Sequence, residues 1–493
     1  MNLSSTFLFR SLAAAMAVAS WTSVCAQAPA ASIGWIEQPI VSSHSAVLGG
    51  DQKIEYTATF DEFPLRGPSG DLQATITSIS YLRAHVQVQE SRPVMFLFNG
   101  GPGASSSPLH FGALGPRRFV SDSPGAAKLV DNSASLLDAA DLVFIDPVGT
   151  GFSQALADSG SSPYWSLEGD AKAAAALIRD WLARNHRSAS PIYIVGESYG
   201  GFRAGMLLRE IPDLKVSGLV LVSPLLDLTA SMSATGNDLP YVFNVPSMAV
   251  AAWSHGRIDK TAHGGTEAEV FESARKFAEG EYASALMQGS RLSETEGARV
   301  AQDLSSFIGL PAKVLEDSHL RIESEEFLNT LLSDPALRVG RLDTRLTGSK
   351  KPAAGGKPSN DPALASGGAS SRIETYMSDE LGVKTGRHYL SLNFGVNAHW
   401  DWHVPAGKTP SFYTNAAGII GEAMRRQPSM RLLATGSYYD MAIPLLAVTY
   451  ALDHSGVPAD RMKVMSFVSD HSPYDDDVNR QRFSAAVRSF LQQ

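Results

Sequence analysis

Apolar and polar positions alternate between residues 52 and 86: Ile54, Tyr56, Ala58 and Phe60, then Leu72, Ala74 and Ile76. A period of two predicts antiparallel strands, and Gly67-Pro68-Ser69-Gly70 supplies the turn between them. The pattern then changes. Val94–Phe98, Leu142–Ile145, Ile192–Val195, Gly218–Val222 and Met430–Ala434 are short and almost continuously apolar. Runs of that length suit strands buried on both faces, as in a parallel sheet covered by helices. Between the second and third runs, Ala174, Leu177, Ile178 and Trp181 fall on one face of a helix predicted from Gly169 to His186. Strands and helices in this order predict an α/β fold around a central, mostly parallel sheet.

From about Leu228 to Pro428 the alternation of strand and helix is interrupted. Helix candidates there open on two capping-box patterns, Thr266 with Glu269 and Ser293 with Glu296. We read residues 229–428 as a helical cap inserted into a core made of residues 29–228 and 429–493. Residues 347–371 are rich in Gly, Ser, Ala, Pro and Lys and read as a loop or linker. No internal repeat is found. At the start of the chain, Arg10 precedes the apolar run Leu12 to Ala19, and Ala26-Gln27-Ala28 offers a cleavage site. Residues 1–28 therefore read as a secretory signal. Val24 is too bulky before Cys25 for a lipoprotein signal.

Composition narrows the function. At 44% hydrophobic and 18% charged residues, the chain can build a large core. A net charge of −9 argues against nucleic acid as a partner, since phosphate binding needs a basic surface. Cys25 is the only cysteine, which excludes an internal disulfide and a cysteine-rich metal site. An exported chain without disulfides points to a periplasmic or secreted location in a bacterium. No later run reaches the ~18 apolar residues of a membrane span.

The chemistry centres on Gly196-Glu197-Ser198-Tyr199-Gly200-Gly201, which follows the Ile192–Val195 run and precedes a helix candidate from Phe202 to Glu210. A G-x-S-x-G sequence between strand and helix presents a serine nucleophile on a sharp turn. The serine needs a base, and the base an orienting acid, in the chain order Ser, Asp or Glu, His. Of the 12 histidines, His471 is the best placed, in a loop after the strand-like Val464–Val468. His454 ends the helix candidate Pro444–Leu452 and reads as a helix-end charge. Asp440 follows the Met430–Ala434 strand and is the expected acid; Asp453 and Asp470 are its rivals. Asn99-Gly100-Gly101-Pro102-Gly103 follows the Val94–Phe98 strand, where a glycine-rich loop can give a backbone N–H to an oxyanion. With the residue after the nucleophile, this assigns the oxyanion hole to Gly101 and Tyr199. No Gly-Lys-Ser/Thr follows, so a phosphate loop is the weaker alternative.

Together these motifs resemble the serine carboxypeptidase family. Its Asn-Gly-Gly-Pro-Gly-x-Ser-Ser pattern is Asn99 to Ser106, its Asp-x-Pro-x-Gly-x-Gly-Phe-Ser is Asp146 to Ser153 with Asp146 and Pro147 adjacent, and its Gly-Glu-Ser-Tyr-Gly-Gly is Gly196 to Gly201. Gly436 through Asp440 to Pro444 matches the segment around the acid more loosely. The resemblance implies an α/β-hydrolase fold with a cap and the release of single C-terminal amino acids. It also implies that Asn99 and Glu197 hold the substrate's terminal carboxylate. Three departures stand out. Ala104 replaces a frequent cysteine, and Asp470-His471-Ser472 replaces Gly-His-Met. Gly112 and Ala113 precede Leu114-Gly115-Pro116, where well-studied members carry a second glutamate. His110 or Arg117 could offset that loss with positive charge.

His399, Asp401 and His403 would share one face if Ala398–Val404 were a strand, a conceivable metal site. Trp400-Asp401-Trp402 resembles a family aromatic pattern, so aromatic packing near the cleft is the preferred reading, and no metal is assigned. Asp475–Asp477 reads as a solvated helix start. The expectation is a cofactor-free serine carboxypeptidase acting on peptides through an acyl-enzyme on Ser198. The alternatives are an esterase or acyltransferase using the same triad and, from another class, a non-catalytic binding protein on the same scaffold.

Overall fold

The five apolar runs all fall in strands of one sheet, save Met430, which stands just before its strand. The computed structural model describes residues 34–49, 52–123, 126–155, 162–351, 361–364, 369–403 and 415–493. The expected signal, residues 1–28, lies outside them, as do residues 352–360 and 365–368 of the expected loop. The loop's described part opens on a short strand, Thr347–Ser349, paired antiparallel with Leu337–Val339. At its other end begins the helix Ala369–Asp379.

The main sheet runs, in spatial order, Ile40–Leu48, Gln52–Arg66, Leu72–Arg83, Asp141–Asp146, Val94–Phe98, Ile192–Glu197, Val216–Val222, Arg431–Ser437 and Met462–Phe467. The first three strands and Asp141–Asp146 pair antiparallel. From Asp141–Asp146 onward every pairing is parallel. The predicted hairpin is thus an antiparallel extension on a parallel sheet. Its turn closes with a hydrogen bond from Gly70 N to Gly67 O.

Side chains along each parallel strand alternate between two apolar layers. Phe96, Phe98, Ile192, Ile194 and Leu432 join one with the helices Leu167–Arg184, Tyr199–Glu210 and Ala416–Arg426. Met95, Leu97, Tyr193, Val195 and Leu433 join the other with Ala369–Asp379 and Asp477–Leu491. Burial on both faces is why these strands carry no polar alternation.

Within residues 229–428, the helices Leu239–Ser254, Glu267–Phe277 and Glu294–Ile308 gather around a third apolar core. That core also takes in Tyr438, Tyr439, Met441, Leu445 and Leu446, on either side of Asp440. Thr266 and Glu269 form the full reciprocal capping box. At the other predicted box Ser293 caps Glu296 N, while the Glu296 carboxylate turns to Gln288. Among the described residues, no helix is long and apolar enough to cross a membrane. The parallel strands Val94–Phe98, Ile192–Glu197, Arg431–Ser437 and Met462–Phe467 end beside Asn99, Ser198, Asp440 and His471 respectively. Topology therefore delivers the candidate residues to one edge of the sheet, outside its carboxyl ends.

Candidate active site

Ser198 stands between the strand Ile192–Glu197 and the helix Tyr199–Glu210 with φ 60° and ψ −127°. That is a backbone conformation a side-chain-bearing residue adopts only under constraint. The constraint is visible. Ser198 N donates to Val222 O at 2.9 Å, and its carbonyl accepts from Gly201 N and Leu225 N, each at 2.9 Å. The turn is tight enough that a Cβ on Gly196 would collide with the Gly200 carbonyl.

The loop Asn99–Gly103 lies directly against this elbow. A Cβ on Gly100 would collide with Tyr199 N and sit 2.8 Å from Gly200 N. Tyr199 opens its helix, so its N–H has no partner within the helix. Gly101, with φ 98°, follows on the loop. The expected oxyanion donors therefore belong to two segments in contact. Arg203, one turn along the same helix, holds the arrangement from inside. It donates to the Asn99 carbonyl through Nη1 and to Asp170 Oδ2 through Nε at 2.6 Å. Trp400 and Trp402 pack edge-on against the Tyr199 ring, at centroid distances of 5.1 and 5.6 Å. The first two sequence motifs also meet: the buried Asp146 carboxylate accepts from Ser106 N at 2.8 Å and Ser106 Oγ at 2.7 Å.

The structure brings Asp440 and His471 together. Asp440 Oδ2 accepts from His471 Nδ1 at 2.7 Å. The other oxygen, Oδ1, accepts from Ala442 N at 2.7 Å and Ile443 N at 3.0 Å. Asp440 is fully buried. Burial pulls the His471 pKa down, but Asp440 and then Glu197 outweigh it, and the net shift is upward. The two rival acids lie elsewhere in role: Asp453 ends the helix Leu445–Asp453, and Asp470 bonds Ser472 N at 2.9 Å. His454 caps that helix, bonding Tyr450 O at 2.9 Å.

Glu197 is 3% exposed, and both its oxygens are engaged. Ser472 Oγ donates to Oε1 at 2.9 Å, and the Tyr474 hydroxyl donates to Oε2. Burial raises the Glu197 pKa, against the opposing pull of His471 and the two hydroxyls. Asn99 Oδ1 accepts from Leu109 N at 3.2 Å. No acceptor among the described residues takes its amide Nδ2, which remains a donor for a ligand.

Neither suggested cation serves Glu197. His110 is buried, stacked on Phe111 and Phe144 at 3.9 and 4.3 Å and bonded to the Tyr81 hydroxyl at 2.7 Å. Burial pushes it down to about 3, so it is neutral. Arg117 pairs with Asp131 and Glu380, at 3.4 and 3.6 Å. The strand that would align His399, Asp401 and His403 is not formed either. A short helix, Phe394–Ala398, ends there instead. His399 then bonds Gly395 O at 2.9 Å, and His403 bonds Asp401 at 2.7 Å. At the predicted acidic helix start, Asp476 is the N-cap of Asp477–Leu491.

Sequence reasoning missed the supports: Arg203 with Asp170, Ser472 with Tyr474, and the segment Arg341–Arg345, whose Leu342 carbonyl accepts His471 N at 2.9 Å. Only Arg203 left a trace, as a charged residue in the apolar stretch Phe202–Leu208. The others become partners only once the chain is folded.

Comparison with known proteins bears on the same residues. Residues 81–302 match the family model described as serine carboxypeptidase. Serine carboxypeptidase-like 36 of Arabidopsis thaliana is 35% identical over 137 residues, 27% of this chain and 27% of the relative. Serine carboxypeptidase-like 17 of the same plant is 26% identical over 208 residues, 40% of this chain and 42% of the relative. The chain thus spans between about a fifth and two-fifths of the length of the curated relatives it matches. In fold, it is similar to Kex1Δp, a prohormone-processing carboxypeptidase from Saccharomyces cerevisiae, with a TM-score of 0.55 and 16% identity. That likeness covers 89% of this chain and 90% of the other. Over residues 81–302 the chain is thus similar to the serine carboxypeptidase family, and its fold is that of the α/β-hydrolases.

Proposed function

We propose that this protein is a serine carboxypeptidase that removes C-terminal residues from peptides. The observation that carries the reading is the 2.7 Å pair of the buried Asp440 and His471, at the sheet edge where Ser198 stands on its strained turn. In this reading Ser198 Oγ attacks the scissile carbonyl, and His471 Nε2 takes the hydroxyl proton. Asp440 keeps the Nδ1 proton in place and stabilises the imidazolium. The N–H groups of Gly101 and Tyr199 receive the oxyanion. Collapse breaks the peptide C–N bond as His471 returns the proton to the leaving amine. A water, deprotonated by His471, then cleaves the acyl-enzyme ester and restores Ser198.

Asn99 and Glu197 are the proposed readers of the terminal carboxylate. The unclaimed Asn99 amide can donate to it directly. Two like charges in a cleft repel, so Glu197 can hold a carboxylate only when one of the two is protonated; burial favours the protonated Glu197. Esterase or acyltransferase activity on the same triad is the second reading. Its support is that both Glu197 oxygens are already engaged by Ser472 and Tyr474. We further propose export through residues 1–28 to the periplasm or the medium.

The test compares one acyl group presented as a peptide with a free C-terminus, as its carboxyl amide and as a simple ester. Preference for the free acid by kcat/KM is expected. Equal rates on acid and amide, with a faster ester, would replace the carboxypeptidase with an esterase.

A further inference from the structure

One segment outside the three motifs touches both triad loops. The Arg341 carbonyl accepts from Met441 N at 3.0 Å, and the Leu342 carbonyl from His471 N at 2.9 Å. Thr344 donates to the Tyr439 carbonyl from N at 3.0 Å and from Oγ1 at 3.2 Å. Three residues of this short stretch, Arg341, Leu342 and Thr344, thus bond the chain before Asp440, the chain after it, and His471 itself. The segment is anchored in turn. Asp361 Oδ2 accepts from Arg341 N at 2.9 Å and Leu342 N at 3.2 Å, and His255 Nε2 bonds the Thr344 carbonyl at 2.6 Å.

Arg345 completes the bracket with its side chain. Its guanidinium grips Asp343 at 2.8 and 3.0 Å and reaches Asp470 Oδ2 at 3.5 Å. It also lies over the Tyr439 ring, 5.2 Å from the centroid. Tyr439 immediately precedes Asp440, and Asp470 immediately precedes His471. One cation therefore ties together the residues before the acid and before the base. Asp343 and Asp470 are both buried; burial, then Asp475 and Asp343, push Asp470 up to about 8, and the Arg345 guanidinium is the cation that opposes this.

We propose that Arg345 is a positioning residue, holding the Asp440 and His471 loops at the spacing catalysis needs. It acts through Asp470 and Tyr439 and touches no reacting atom. This rests on the triad but not on the identity of the substrate. Misplacement of a catalytic group by about 1 Å costs on the order of 10² in rate. Arg345→Ala is accordingly expected to lower kcat by about that factor on peptide and ester alike, with KM unchanged. Labelling of Ser198 by a fluorophosphonate should slow by the same factor, because it needs the same base and no particular substrate. Arg345→Lys keeps the charge but not the planar fork or the ring stacking, and should recover part of the loss.

The readings are kcat, KM and labelling rate for both variants, with Ser198→Ala as a separate check that labelling is at Ser198. Wild-type kcat and labelling in folded Arg345→Ala would overturn the proposal. So would a rise in peptide KM with kcat intact, which would put Arg345 on the substrate. Should Arg345→Ala fail to fold, Arg345→Lys decides by the same readings: lowered kcat at constant KM supports the bracket, and wild-type values overturn it. Labelling that persists in Ser198→Ala would instead remove the triad reading itself.

Discussion

Replacing Asp440 by asparagine isolates the electrostatic half of the proposed triad, because the structure dictates how the asparagine must sit. Oδ1 of Asp440 already accepts two backbone N–H groups, from Ala442 at 2.7 Å and Ile443 at 3.0 Å. An asparagine NH₂ turned toward them would face two donors, so its carbonyl takes that side. The NH₂ must then point at His471 Nδ1, now 2.7 Å from Oδ2. A donor there forces Nδ1 to accept, and the imidazole proton moves to Nε2. Nε2 with a proton cannot take one from Ser198. The same change removes the charge that stabilises the imidazolium. Loss of kcat by roughly 10⁴ is expected, about 5 kcal/mol of barrier at 1.36 kcal/mol per decade. Shape and both backbone bonds survive, so the melting temperature should stay within a few degrees. Asp440→Ala would be less clean, since the Ala442 and the buried Ile443 N–H groups lose their acceptor, at ~1–3 kcal/mol for the buried one. The assay is steady-state kcat on a peptide and an ester, with the fluorophosphonate rate as a substrate-free check. A folded Asp440→Asn enzyme within tenfold of wild type would refute the tautomer argument and with it Asp440 as the acid.

Ser198→Ala and His471→Ala should each lose on the order of 10⁶ in kcat with the fold intact, because the two act as one unit; steady-state rates check this, and a tenth of wild-type activity in either would contradict it. Gly100→Ala drives a Cβ into Tyr199 N, so the Asn99–Gly103 loop must lift from the elbow; a kcat loss on the order of 10², measured with an ester, is expected. Glu197, its pKa raised by burial, should stay protonated above the ordinary glutamate value of about 4.3 and lose the proton as pH climbs. KM for free-carboxylate peptides should therefore rise with pH while KM for esters holds, and Glu197→Gln should flatten the rise; superimposable KM–pH curves for the two enzymes would count against Glu197 as the reader. Tyr474→Phe removes a donor that favours ionised Glu197, so the same rise should move to higher pH.

The sheet was legible because burial on both faces leaves strands no polar option. Val94–Phe98 coincides with its predicted run, and Leu142–Ile145 and Ile192–Val195 each lie inside an observed strand. Ile40–Leu48 escaped because it is an edge strand, and only Ala46 and Leu48 along it are deeply buried. Leu239–Ser254 escaped for the opposite reason: it is apolar nearly all round and carries Pro246, so it shows neither a stripe nor an unbroken helical pattern. In the candidate site, the residues next to Gly- and Pro-rich turns were readable because the backbone there demands particular residue types. Ser472, Tyr474 and Arg345 were not, because a hydroxyl or guanidinium acquires its meaning from a partner far away in sequence.

The position that looked empty in the sequence is filled in the fold. Gly112 and Ala113 offer no carboxylate to Glu197, which seemed to leave that residue with an unmatched charge. A side chain at Gly112 would in fact meet the Tyr474 ring, with the nearest ring carbon 3.0 Å from its Cβ. The Tyr474 hydroxyl reaches Glu197 from there, and Ser472 supplies the second donor. Two neutral hydroxyls solve a different electrostatic problem from a second carboxyl. A carboxyl pair shares a proton and keeps one member neutral by repulsion. Here Glu197 is kept toward the neutral form by burial, and the hydroxyls limit how far. They also join the residue before Ser198 to the loop after His471. In the proposed reading the same carboxyl both reads a substrate and couples nucleophile and base, as Arg345 is proposed to couple base and acid. Changes at Glu197 should therefore be read on two scales: KM for free carboxylates reports the first role, and kcat on esters the second.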